Sequence, residues 1–148
     1  MTMALLKAHL LMLLGAASMA AACSGNSTTT TTTAPSTIAS TSARVFVATL
    51  AIHGASFYSV SLTRPGTVEL TLVSVTLVDG GATETTTMGM GIGTPNGSGC
   101  DLTDEINTAP GLTAQLKRAL AVGTYCAKVF DIGTLKTPVN VGVRIVIP

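Results

Sequence analysis

The sequence has no tryptophan, and two tyrosines and three phenylalanines make up its whole aromatic complement. Surfaces that stack nucleic-acid bases or sugar rings need more aromatic material than that. Charge is equally sparse, with eight Lys and Arg against seven Asp and Glu in 148 residues. A surface this weakly charged argues against nucleic acid and acidic membrane as electrostatic partners. Histidine is nearly missing as well, since only His53 follows the N-terminal leader. There is no Gly-x-Ser-x-Gly elbow and no His-Glu-x-x-His run, so general-base chemistry is left with one isolated group. Neither Cys100 nor Cys126 has a cysteine or histidine at metal-ligand spacing beside it, which leaves a thiolate metal site without its other ligands. No catalytic residue, cofactor or metal is therefore assigned.

What is present begins with a leader. Lys7 precedes an apolar run that extends from Ala8 to Ala22 and is interrupted by His9. A helix that crosses a bilayer needs ~20 such residues, so this run is too short to span and reads as an export signal over residues 1–22. The segment Ala20-Ala21-Ala22-Cys23 resembles the lipobox of bacterial lipoprotein signals, with Ala20 standing where those signals usually carry Leu. The resemblance implies cleavage before Cys23 and acylation of that cysteine by chains such as palmitate. Each buried methylene contributes ~0.8 kcal/mol, so several chains make a lasting membrane anchor. In diderm lipoproteins Ser at the next position, here Ser24, permits transfer to the outer membrane, and the same address is implied here. The chain has three cysteines, and an exported protein seldom leaves one unpaired. With Cys23 lipidated, Cys100 and Cys126 remain to form a disulfide in the oxidising compartment that export implies.

Residues 23–43 form a linker of low complexity, with unbroken threonine from Thr28 to Thr33 and Ile38 as its one sizeable hydrophobe. Such a segment buries too little to offset its ordering entropy, and it is expected to act as a disordered tether spanning roughly 25 Å.

From Arg44 the pattern changes to alternation with period two, the mark of half-buried strands. Val45, Val47 and Thr49 alternate with Phe46, Ala48 and Leu50, so the first run is apolar on both faces. Tyr58, Val60 and Leu62 share the next face, and Arg64-Pro65-Gly66 makes a turn. Val68, Leu70 and Leu72 lead a long run in which Val73, Val75 and Leu77 take over in the opposite phase, which predicts a bulge or a corner. Asp79-Gly80-Gly81 ends it. Met88, Met90 and Ile92 then alternate with Gly89, Gly91 and Gly93, and Pro95 to Gly99 reads as a loop. Cys100 to Pro110 reads as polar and irregular. Leu112 to Leu120 fits a helix by spacing, but its context favours a strand. Gly123 to Val129 and Val139 to Ile147 are clear strands. Six to eight short strands between Gly and Pro turns predict an all-β fold, a single antiparallel β-sandwich over residues 44–148.

The block Leu120-Ala121-Val122-Gly123-Thr124-Tyr125-Cys126-Ala127-Lys128-Val129, leading to Val139-Asn140-Val141-Gly142-Val143, is similar to bacterial pre-peptidase C-terminal domains. It looks closer still to small exported proteins with a "GTYC" strand, and Gly66-Thr67-Val68-Glu69-Leu70-Thr71-Leu72 resembles their "GTVTLTL" strand. The resemblance implies a jelly-roll-like sandwich that serves as an accessory module, and it carries no active site with it.

The functional expectation is a lipid-anchored, non-enzymatic envelope module with a binding or structural role. Two rivals are defined by residues. A hydrolase would have to use His53 with an acid in hydrogen-bond reach. A calcium-stabilised adhesion-type module would use Asp101, Asp104 and Glu105, with Asp79 and Asp131 further off. Met88 and Met90 at strand spacing read as core rather than as a soft-metal motif. Lys117-Arg118 reads as a protected strand edge.

Overall fold

The computed structural model describes residues 40–81 and 85–148. The expected signal peptide, Cys23 and almost all of the expected linker lie outside the described residues. Eight strands form: β1 (Ser42–Leu50), β2 (Ala55–Leu62), β3 (Gly66–Leu77), β4 (Met88–Asn96), β5 (Gly99–Thr108), β6 (Leu116–Leu120), β7 (Gly123–Phe130) and β8 (Val139–Ile147). They make two antiparallel sheets, in the orders β1-β8-β3-β6 and β2-β7-β4-β5. Apart from the β4–β5 hairpin, successive strands cross between sheets in the pattern of a jelly roll, the eight-stranded double Greek key. The expected all-β sandwich is the observed one, and its strand pairing starts at Ser42, two residues before Arg44.

The core follows from the alternation. Leu70, Leu72 and Val75 of one sheet meet Met88, Met90, Ile92 and Val129 of the other, none more than 1 % exposed. Burying each such side chain is worth roughly 1.5–3 kcal/mol. The register of β3 against β8 slips between Leu72 and Ser74, so Val73 is the extra residue of a bulge. That insertion is why the inward set changes from Val68, Leu70 and Leu72 to Val75 and Leu77. β1 departs from expectation in one respect: only Phe46, Ala48 and Leu50 pack inward, while Val45 and Val47 are 59 % and 72 % exposed.

Two loop expectations are corrected. Residues from Cys100 onward are not irregular but form β5, whose burial alternates from Asp101 to Thr108. The dense acids concealed that alternation, in which Leu102 and Ile106 are half-buried between exposed neighbours. The turn preceding it is also tighter than expected. Pro95 and Asn96 still pair with Cys100 and Gly99, and only Gly97 and Ser98 turn. Gly97 takes φ +62°, as the first central position of a two-residue type II′ hairpin requires. β6 is a strand, as its context suggested, but it begins at Leu116. Just before it, Gln115 finishes the edge of β3 with its side chain. Its Oε1 accepts from Leu72 N–H at 2.8 Å, and its own N–H donates to Leu70 O at 3.0 Å.

The disulfide shows how β5 sits. Cys100 and Cys126 are bonded, with their α-carbons 5.9 Å apart. Yet β4 runs between their strands in the sheet, pairing Gly93 with Cys126 and Pro95 with Cys100. Next-but-one strands in a flat sheet lie about 9.5 Å apart, twice the usual spacing. The start of β5 has therefore folded over the outward face of β4, and a bulge at Thr103 accommodates the bend. Cys126 lies outside the core cluster that holds Ala127 and Val129, so the bridge is on the outer face of β7. Replacing both cysteines with Ser is expected to lower stability by about 3 kcal/mol. The far-ultraviolet dichroism of the sheets should persist below the lowered melting point. A double variant that melts with the parent would show that the bridge adds no stability.

Candidate functional site: the His53–Asp131 corner

Short turns dominate one end of the sandwich, and His53 lies in the first of them. Gly54 N–H donates to Ala51 O at 2.8 Å, which closes a tight turn between β1 and β2. His53 sits inside that turn at φ +57°, the only non-glycine residue in the left-handed region among those described. A side chain there is disfavoured by backbone sterics, so something must hold it. Asp131, just after β7, does so. Its Oδ2 accepts the His53 backbone N–H at 2.8 Å, and its own N–H donates to Gly54 O at 2.9 Å.

The other carboxylate oxygen organises the loop that leads to β8. Asp131 Oδ1 accepts from the N–H groups of Gly133 and Thr134 at 2.8 Å each and from Leu135 at 3.1 Å. Gly133 takes φ +92°, which lets the loop curl round the carboxylate. Thr134 Oγ1 then donates to Thr87 O at 2.8 Å, tying in the segment before β4. The Asp131 side chain has no exposed surface, although it lies under a loop whose residues Ile132 to Thr134 are exposed. Burial pushes its pKa up, but the donors from His53, Leu135, Thr134 and Gly133 outweigh it and hold the group below its ordinary 3.8.

This geometry bears directly on His53 as a catalytic base. Its Nδ1 is 3.9 Å from Asp131 Oδ2, beyond hydrogen-bond reach, and its side chain is 79 % exposed. An orienting acid would need about 2.6–3.2 Å and a lone pair not already committed to the backbone. Beside the corner opens a cleft of about 280 Å³, where Thr86, Thr134, Thr137 and Lys136 stand over Leu135 and Val139.

The acids of the calcium reading do not converge. Asp101 is engaged by the Asn96 side chain, and Asp104 forms an ion pair with Arg118 at 2.9 Å. Among the described residues no three His, Cys, Asp or Glu side chains come together to hold a metal. Asp79 accepts the Gly81 N–H within its own turn. Lys117 and Arg118 do mark an edge, since β6 closes its sheet, and Lys117 pairs with Glu69 at 2.6 Å.

Gly89, Gly91 and Gly93 belong to a strand, not to a phosphate loop, and they share the outward face of β4. The Phe130 ring covers the first, Leu102 the second, and the β5 backbone the third. Asp131 is the residue whose importance the sequence reading missed. Its signal was there in Asp131-Ile132-Gly133, an Asp two residues before a Gly, which is the mark of an Asx turn. Compared with known proteins, the sequence matches no protein-family model and no curated protein.

Proposed function

We propose that this chain is a lipid-anchored, non-enzymatic module of a bacterial cell envelope, held at Cys23 and stood off the membrane by its Ser/Thr tether. Its jelly roll serves a binding or structural role. One observation carries the non-enzymatic part: the closest approach of His53 to an acid is one in which the acid is already spent on backbone donors. The same logic runs through the other paired acids, since Glu69 and Asp104 neutralise cations at strand edges and Asp101 holds a hairpin side chain. The anchoring part rests on the leader and on the cysteine count, because Cys100 and Cys126 satisfy each other and leave Cys23 alone.

Intact-mass measurement on membrane-extracted protein is expected to give a chain that begins at Cys23 and carries the acyl increment. Cys23→Ser should move the protein to the soluble fraction. A soluble native product that begins elsewhere, with Cys23 unmodified, would sink the anchor. The non-enzymatic reading fails if any ester- or peptide-hydrolysing activity of the purified protein disappears on His53→Ala.

A further inference from the structure

A jelly roll leaves four strand edges, and this one treats them unequally. β6 carries Lys117 and Arg118, and β5 carries Asp101, Asp104 and Glu105, so both edges on that flank are defended by charge. On the opposite flank β2 carries no charged residue and shows Ser59 and Ser61 outward. β1 has only Arg44 near its start, and it exposes Val45 and Val47 beside a strand edge nine residues long. Among the described residues β1 pairs with β8 alone, so its other edge offers free backbone donors and acceptors.

We infer that this edge pairs with β1 of a second copy of the chain, antiparallel and about a two-fold axis through Phe46. The occupant follows from the strand itself. Phe46 is the midpoint of Ser42–Leu50, so pairing about it uses all nine residues and leaves no overhang. That register sets Val45 against the other copy's Val47, and Val47 against its Val45. Four exposed valines become one contiguous aliphatic cluster on the solvent side of the joined sheet, each partly shielded by its cross-strand neighbour. Alternation stays in phase: Phe46 meets Phe46 of the second copy, while Ala48 and Leu50 meet its Arg44 and Ser42 on the same face. The single charge does no harm. Arg44 faces Ala48, and the two arginines lie about 13 Å apart along the strands, farther than a Debye length. A foreign strand would gain the backbone bonds but not this match of Val45 with Val47. The two four-stranded sheets would join into one continuous sheet of eight, an isologous contact of the kind that closed dimers use.

The full chain, extracted in detergent, should sediment as a dimer at ~100 μM, the range where weak edge pairing saturates. The double variant Val45→Lys with Val47→Lys should be monomeric with unchanged far-ultraviolet dichroism, since both side chains point to solvent. Register is tested separately with Ala43→Cys and Thr49→Cys, which this pairing sets opposite each other. The variant carrying both cysteines should oxidise to a covalent dimer on a non-reducing gel, whereas either cysteine alone should not, because like positions lie about 20 Å apart. A monomeric parent at that concentration would overturn the inference. So would a lysine variant that stays dimeric, or single-cysteine variants that cross-link as well as the double one.

Discussion

Asp131→Ala is expected to destabilise the folded domain by about 4 kcal/mol, because four backbone N–H groups lose their acceptor at once. A buried unsatisfied donor costs about 1–3 kcal/mol, and water reaching in beneath the exposed Ile132–Thr134 loop recovers part of the sum. The left-handed conformation of His53 also loses the bond that fixes it, so the β1–β2 turn should loosen together with the loop before β8. Asp131→Asn separates charge from shape. It keeps one oxygen for Gly133, Thr134 and Leu135 but turns an amide toward the His53 N–H, at an intermediate cost of about 2 kcal/mol. The two variants also differ from the parent in acid. The folded carboxylate titrates below its ordinary 3.8, so its contribution is fully present above that value and is lost as the pH falls through the lower folded one. Denaturant midpoints measured from about pH 6 down to pH 2 should fall more steeply for the parent than for Asp131→Asn. Every other acidic residue is common to both proteins, so the difference between the curves isolates Asp131. Parallel curves would show that its carboxylate charge contributes nothing.

Gly93→Ala is expected to cost about 3 kcal/mol or more, for a reason no side-chain rearrangement can relieve. A methyl group at this position would lie 1.8 Å from Asp101 O and 2.6 Å from Asp101 C, both backbone atoms of β5. The only escape is for β5 to lift away, and the Cys100–Cys126 bridge prevents that by pinning the start of β5 across β4. The two perturbations should therefore be strongly coupled. With both cysteines replaced by Ser, β5 is free to lift, and the same Gly93→Ala change should cost at least about 1 kcal/mol less than in the bridged parent. Chemical denaturation of the four proteins of this cycle measures the coupling directly. Additive losses would mean that the bridge does not hold β5 against the glycine.

These two residues also mark where reading from sequence stopped. The strands whose inward faces are apolar, such as β3, β7 and β8, were legible because hydrophobic alternation survives in one dimension. Even the bulge at Val73 showed as a change of phase. β5 was misread because its exposed positions are all polar and its half-buried ones include Asp104, so polarity no longer reports burial. The glycines of β4 resembled a ligand loop in composition. What they make room for, Phe130 and the backbone of β5, comes from elsewhere in the chain. Gln115 carries no local signal at all, since its role exists only once the start of β6 lies against β3 near Leu72. His53 was noticed for its side chain, whereas its backbone N–H makes the structural contact. Of the candidate site, the residue types were visible and the allegiance of Asp131 was not.

The place of β8 sets a timetable for folding. It is made after the seven other strands, yet it lies in the middle of its sheet, and β1 has no other partner among the described residues. A chain that emerges N-terminus first can form the β4–β5 hairpin early, and the sheet containing β7 soon after. β1 and β3 must wait with their inner edges open until β8 arrives between them. During that interval β1 is a nine-residue apolar strand with neither edge paired, a condition that favours mispairing and slow closure. Any factor that keeps the emerging chain unpaired would therefore matter most for this one strand, and an arrest of synthesis before Val139 would leave two strand edges permanently without the partner that joins them.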